Sequence, residues 1–249
     1  MKALKTPLRY PGGKSKAIKT LAQWYPKVIT EYREPFIGGG SIAIYITKAN
    51  PDIPVWVNDL YVPLYNFWVQ LRDRGKELSE RVREEKQRTL DEGDADKITL
   101  KAKELFDRYK AEIDTYDDFE KAVAFFIMNK CSFSGLTENS TFSQTASNSN
   151  FSLVGARKLA DFSKLIRCWK ITNLDYSEVI NSYATGDAFI FLDPPYDIKD
   201  FLYGKNREMH KSFNHDRFAQ EVYKCKSKFM ITYNLNCLLY TSPSPRDRG

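Results

Sequence analysis

Hydrophobic positions along this chain fall into two kinds of pattern. The first is a set of short apolar or extended runs, each closed by turn-forming or carboxylate residues. They are Glu34-Pro35-Phe36-Ile37 before three glycines, Val55-Trp56-Val57 before Asn58-Asp59, and Cys168-Trp169-Lys170-Ile171 leading to Asp175. Ala188-Phe189-Ile190-Phe191-Leu192 before Asp193, and Lys228-Phe229-Met230-Ile231 leading to Asn234, complete the set. Runs of this length bounded by such residues predict buried strands. The second pattern has helical spacing: Ile18, Leu21, Ala22 and Trp24-Tyr25, then Ile42 to Ile46, then Leu64, Phe67, Trp68 and Leu71 on one face. Strands alternating with helices imply an α/β fold around a parallel sheet.

Between the two strand series, residues from about 60 to 128 read as helical, and their charged span from Lys76 to Lys110 reads as a solvated helix face. Residues 132–152 (SFSGLTENSTFSQTASNSNFS) are dense in Ser, Thr and Asn, and predict a long loop or hairpin outside the core. The last residues, Tyr240 to Gly249, differ in composition from what precedes them and are expected to be a non-native tail. The division that follows is 1–60 and 161–238 for the two parts of a sheet domain, 61–160 for a helical insertion with a Ser/Asn-rich hairpin, and 239–249 for the tail.

Composition narrows the class. A 249-residue chain with 42% hydrophobic residues can bury a sizeable core, which excludes a disordered chain. The four cysteines form no C-x-x-C pair and there are two histidines, so no zinc framework is expected. The amino terminus lacks the apolar run of a signal peptide and no stretch is long enough to span a membrane, so a cytosolic protein is expected. A net charge of +6 favours a polyanionic partner, though solvated surface accounts for such a value as readily.

Two motifs carry chemistry. The segment Phe36-Ile37-Gly38-Gly39-Gly40 sits between a strand and a helix, where glycines let backbone approach a ligand. Asp59 follows about 20 residues on, the spacing that suits ribose hydroxyls of a nucleoside. A tight strand-to-helix turn explains the glycines equally well. Gly12-Gly13-Lys14 is not a phosphate loop, because Leu8 stands where its first glycine is required. Lys14, at a helix start, is instead either a partner for a ligand carboxylate or a solvent-exposed lysine. The second motif, Asp193-Pro194-Pro195-Tyr196, ends an apolar strand on a stiffened turn. One carboxylate and one carbonyl there can accept both hydrogens of a planar amine while the tyrosine ring stacks on its heterocycle.

Taken together, Leu8-Arg9-Tyr10-Pro11-Gly12-Gly13-Lys14, Glu34-Pro35-Phe36-Ile37-Gly38-Gly39-Gly40, Asn58-Asp59 and Asp193-Pro194-Pro195-Tyr196 resemble, in order, the motifs of Dam-type DNA adenine methyltransferases. The resemblance runs from about Leu8 to Asn234. It implies a Rossmann-like S-adenosylmethionine-dependent methyltransferase sheet with an inserted, mainly helical DNA-recognition domain. It also implies that Tyr10, Lys14, Phe36, Gly38, Gly40, Asp59, Asp175 and Asp193 serve the cofactor, and that Asp193, Pro194, Pro195 and Tyr196 hold a flipped adenine of double-stranded DNA. Met128-Asn129-Lys130-Cys131-Ser132-Phe133-Ser134-Gly135-Leu136 is similar to the family's DNA-reading segment, which makes Asn129, Lys130, Phe133 and Glu138 the DNA-binding candidates and Phe133 the intercalating one.

The sequence departs from that pattern twice. Glu138 stands where members that read GATC carry an arginine, and a carboxylate cannot donate to guanine. The family's final pair of strands past Tyr233-Asn234 has no counterpart, so truncated C-terminal strands are expected. No proline directly precedes a cysteine, which argues against carbon-5 methylation of cytosine through a nucleophilic thiol. Methylation of RNA adenine or of a protein glutamine amide, and an inactive DNA-binding fragment, stay open as alternatives. Neither a metal nor a membrane is expected to take part, and a monomer is expected. Lys199, Lys205, Arg207 and Lys211 suggest a loop closing on the DNA backbone.

Overall fold

The computed structural model describes residues 6–135, 140–184, 186–195 and 213–233. Five strands, β1 (Glu31–Glu34), β2 (Val55–Asn58), β3 (Lys170–Thr172), β4 (Ala188–Leu192) and β5 (Lys228–Ile231), form one sheet in the order β3-β2-β1-β4-β5. Every pairing is parallel, with Tyr32 opposite Val55 and Phe189 in adjacent registers. The chain builds outward from β1 through β2 to β3, then returns to lay β4 on the other side of β1. That reversal opens a crevice beyond the carboxyl ends of β1 and β4, where ligands of open α/β sheets bind.

β1 lies at 31–34, earlier than the extended segment expected at 34–37, because its sequence Glu-Tyr-Arg-Glu does not look like a buried strand. Arg33 is nevertheless 1% exposed, and its guanidinium is satisfied by the carbonyls of Val179, Ser182 and Tyr183 at 2.7–3.0 Å and by the Glu31 carboxylate at 2.6 Å. A buried charge with this many partners is tolerated where an unpaired one is not. β4, by contrast, is apolar and buried at all five positions, as its composition predicts.

The helices are α1 (Ile18–Leu21), α2 (Ser41–Ala49), α3 (Val62–Leu90), α4 (Ala95–Glu112), α5 (Asp118–Cys131), α6 (Gln144–Asn150), α7 (Leu153–Leu165), α8 (Tyr176–Asn181) and α9 (His215–Lys224). The long α3 carries Leu64, Phe67, Trp68 and Leu71 fully buried on one face and bends at Arg74, whose φ of −126° is not helical. Trp68 and Phe67 share one continuous core with Val55, Val57 and Phe189 of the sheet, so α3 joins the inserted helices to the strands. Gly75 lets α3 approach α7 closely, since a Cβ there would lie 2.2 Å from the Ser163 Cβ.

Three expectations need correction. Residues 14–24 form two short 3-10 turns flanking α1, with no buried side chain, rather than one amphipathic helix. The Ser/Asn-rich stretch does enter the core: Ser132, Ser140, Ser147 and Phe151 are buried, α6 runs through it, and Ser132 and Phe142 form an isolated antiparallel bridge. Hydroxyls make that possible by capping helices, as Ser143 does for the Ala146 N–H and Ser152 for the Gly155 N–H. The charged span is not wholly solvated either. Glu85 is buried beneath Arg81, Arg88 and Arg108, with guanidinium contacts at 2.7–3.3 Å.

Candidate active site

A cavity of about 380 Å³ opens in the crevice beyond β1 and β4. Its wall brings together Tyr10, Lys14, Glu34, the Phe36 to Gly40 loop, Asp59, Asp175, Asp193, Pro194 and Pro195, residues spread over most of the chain. Volume and mixed lining suit a small organic ligand held by a few placed polar groups.

The glycine loop is shaped by its neighbours. Gly38 and Gly40 have φ of +48° and +68°, and Gly40 caps α2. The Tyr10 ring lies so close that a Cβ on Gly38 would sit 2.7 Å from it, and a Cβ on Gly40 would sit 2.6 Å from the Trp68 ring. Both glycines are therefore required by conformation and by space. The Trp68 indole N–H donates to the Gly38 carbonyl at 3.1 Å, so the inserted helix α3 fixes the loop.

Asp59 stands at the end of β2. Its carboxylate accepts the Gly38 N–H and the Tyr61 N–H, each at 3.0 Å, and burial pushes its pKa up to about 6 against those two donors. Neighbouring Asn58 is 1% exposed and ties strand ends together, donating to the Pro35 and Leu174 carbonyls and accepting from the Leu174 N–H and the Thr172 hydroxyl. Asn58 thus sets the position of Asp59 by holding the backbone on both sides of it.

Asp193 follows β4. One carboxylate oxygen receives Lys14 Nζ at 2.5 Å and the other receives the Thr232 hydroxyl at 2.7 Å. Lys14 also donates to the Gly12 carbonyl at 2.8 Å. Neither expectation for Lys14 describes this arrangement: the lysine is not solvent-exposed, and the carboxylate it pairs with is the protein's own rather than a ligand's. Beneath this pair lies Glu34, 3% exposed, which accepts the Tyr32 hydroxyl at 2.8 Å. Burial pushes Glu34 up to about 8; the Tyr32 donor opposes that rise and nearby Asp193 adds to it. Near neutral pH, Glu34 is therefore held largely protonated below the Lys14–Asp193 pair.

The other end of the cavity is aromatic. Phe36 packs with Tyr176, Phe213 and Phe218 at ring separations of 5.4–6.0 Å. Asp175 caps α8 and receives both terminal nitrogens of Arg217 at 2.8 and 3.1 Å. Burial works to raise the Asp175 pKa, but hydrogen bonds from Ser177 and Arg217 outweigh it and hold the carboxyl below its ordinary value.

Of the DNA candidates, Phe133 is 70% exposed. Asn129 is not on the surface: it is 1% exposed, and its amide bonds the Arg9 backbone and the Gly135 carbonyl. Its donors and acceptor are turned inward, toward partners within the protein. Lys130 is half-buried with its ammonium 5.1 Å from the Phe126 ring centre, and burial, assisted by Arg9, lowers its pKa to about 8. Tyr196, Glu138, the basic cluster Lys199 to Lys211 and the segment after Tyr233 lie outside the described residues.

Sequence reasoning missed Glu34 as a site residue, along with Thr232, Trp68 and Arg217. A glutamate inside the strand segment was the one available signal for Glu34. Nothing local in the sequence pairs Arg217 with Asp175 or Thr232 with Asp193. Among the described residues no group of three or more His, Cys, Asp or Glu side chains could hold a metal, and no helix is long and apolar enough to cross a membrane.

A parallel sheet with this switch point, a glycine loop after β1 and an Asp-Pro-Pro turn after β4 is a Rossmann-like methyltransferase fold. Residues 10–242 match the model of the D12 class N6 adenine-specific DNA methyltransferase family, and the chain belongs to that family. It is 23% identical over 246 residues to the Type II methyltransferase M.MjaIII of Methanocaldococcus jannaschii, spanning 92% of this chain and 84% of that one. It is also 23% identical over 219 residues to the Type II methyltransferase M1.LlaDCHI of Lactococcus lactis subsp. cremoris, spanning 86% and 71% of the two chains.

Proposed function

We propose that this protein transfers a methyl group from S-adenosylmethionine to the 6-amino group of adenine at a specific site in double-stranded DNA. The observation that carries the reading is the convergence of the Lys14–Asp193 pair, the glycine loop and Asp59 on one cavity. The chemistry of the lining fits the cofactor. A loop whose every added Cβ would collide leaves backbone free to approach a ligand, a half-buried carboxylate faces the same space, and an aromatic cluster offers a surface for a base.

In this reading Asp59 accepts ribose hydroxyls, Phe36 and Tyr176 flank the adenine end, and Tyr10, Lys14 and Asp193 hold the amino-acid end. When bound, the cofactor supplies an electrophilic sulfonium methyl. The Asp193 carboxylate and the Pro194 carbonyl orient the target amine by accepting its hydrogens, and Tyr196 stacks on the base. Such an amine cannot reach a buried site from within a duplex, so the target base is flipped out. Catalysis then rests on positioning and on aligned acceptors. Lys14 and Thr232, bonded to its two oxygens, keep the Asp193 carboxylate aimed.

The test is to incubate the chain with labelled S-adenosylmethionine and unmethylated genomic DNA, then sequence the product by a method that reports modified adenines. Methyladenine within one short motif is expected. Label appearing only in added RNA or protein would overturn the reading.

A further inference from the structure

The turn that carries Tyr10 and Lys14 is fastened to the turn that carries Phe133. The Asn129 amide oxygen accepts the Arg9 N–H at 2.9 Å, and its nitrogen donates to the Arg9 carbonyl at 2.7 Å and to the Gly135 carbonyl at 2.6 Å. The side chain thereby completes a strand-like pairing with one residue of the amino-terminal segment. Arg9 returns the contact, its guanidinium donating to the Ser132 carbonyl at 2.7 Å. Little slack exists between the two segments: a Cβ on Gly135, whose φ is +79°, would lie 2.3 Å from the Arg9 carbonyl oxygen.

On one side of this clamp, the next residue after Arg9 is Tyr10, whose ring lies against Gly38 and Gly39. Its carbonyl receives the Gly13 N–H at 3.0 Å, which closes the turn that delivers Lys14 to Asp193. On the other side, Ser132 bridges to Phe142 and precedes the exposed Phe133. A displacement of either turn must move or break hydrogen bonds made by the buried Asn129 side chain, and buried polar groups left without partners are costly.

We propose that Asn129 is a positioning residue that couples the Phe133 turn to the cofactor pocket through the Arg9 backbone, so that occupancy of either face strengthens binding at the other. This rests on the reading that the pocket takes S-adenosylmethionine and that Phe133 faces DNA. Coupling between two bound ligands is reciprocal, and its ordinary size is roughly 5- to 150-fold in affinity.

The experiment measures the affinity of the full chain for S-adenosylhomocysteine by calorimetry, alone and with saturating unmethylated duplex DNA. In the unaltered protein, DNA is expected to tighten binding at least about 5-fold. Asn129→Asp keeps an acceptor for the Arg9 N–H but sets a carboxylate oxygen against two carbonyls, and the DNA-induced gain is expected to collapse to within about twofold of none. Arg9→Ala removes only the bond to the Ser132 carbonyl and should give an intermediate gain. A structural role alone would lower the unfolding temperature and leave the gain intact, which overturns the proposal. If Asn129→Asp does not fold, Arg9→Ala decides, and an unchanged gain again overturns it. Separate binding of both ligands with no gain in the unaltered protein refutes the coupling alone, whereas failure to bind the cofactor analogue refutes the functional reading with it.

Discussion

Lys14 Nζ lies 2.5 Å from Asp193 Oδ2, joining two positions 179 residues apart in the sequence across the mouth of the crevice. Asp193 has a second anchor in Thr232, so its carboxylate is oriented from both oxygens. Loss of charge and loss of orientation can therefore be separated. Asp193→Asn keeps the size of the side chain and can still accept from Thr232, but it pairs poorly with Lys14. We expect kcat to fall by at least about 10²-fold, the scale of removing an aligned electrostatic group. Lys14→Met leaves Thr232 in place and should act more on cofactor affinity than on kcat. Single-turnover rates and cofactor titrations distinguish the two, and equal effects on both quantities in both variants would contradict this division.

Asp59 sets a pH limit on cofactor binding. Its carboxyl is raised to about 6, so it loses its charge as pH falls through that value while ordinary carboxylates are still ionised. An ionised acceptor binds ribose hydroxyls better than a protonated one. Affinity for S-adenosylhomocysteine is expected to weaken by about tenfold per pH unit below 6, the limit for one required ionisation. Asp59→Asn should bind weakly and remove the dependence. A titration that is flat between pH 5 and 7 in the unaltered protein would show that Asp59 does not hold the ligand in its charged form.

Glu34 acts in the opposite sense on stability. Its pKa is raised to about 8 in the folded chain, so between its ordinary value and 8 the folded state binds more protons than the unfolded state. Unfolding free energy then falls as pH rises through that window. Glu34→Gln removes the titration and can still accept the Tyr32 hydroxyl. Thermal unfolding at pH 8 should occur several degrees higher in Glu34→Gln than in the unaltered chain, with little difference at pH 5. The pH dependence of the difference is the readout, because a general packing effect would shift both values alike.

What the sequence revealed and what it hid follow from the range of the interactions. β4 was legible because all five of its side chains are apolar and buried, a pattern that needs no partner to interpret. β1 was displaced by three residues because Arg33 and Glu34 are polar, and the groups that satisfy Arg33, the carbonyls of Val179, Ser182 and Tyr183, are about 150 residues away. Motifs placed Lys14, the glycine loop, Asp59 and Asp193 as candidates one by one. They could not show that the acid Lys14 meets is Asp193 itself. Asn129 was singled out by a motif likeness, which carries no sign that the Arg9 backbone 120 residues away takes up its amide. Serines at 132, 140 and 147 looked like loop because hydroxyls favour turns, and only tertiary contacts decide when they are buried.

Phe133 offers a prediction that separates folding from recognition. It is a large apolar side chain, 70% exposed, beside residues that are fully buried, a placement that gains little for the fold. Phe133→Ala should change stability by no more than about 0.5 kcal/mol, as expected for an exposed site away from packing. An aromatic ring inserted into a base step adds stacking and no charge, so its removal should weaken duplex binding without altering how affinity falls with salt, since that slope counts phosphate contacts. Fluorescence anisotropy with a labelled duplex at several salt concentrations measures both quantities. Parallel lines displaced toward weaker binding support insertion of Phe133. Coincident lines would show that the ring does not enter the DNA, and a changed slope would mean that its loss rearranges the basic groups around it.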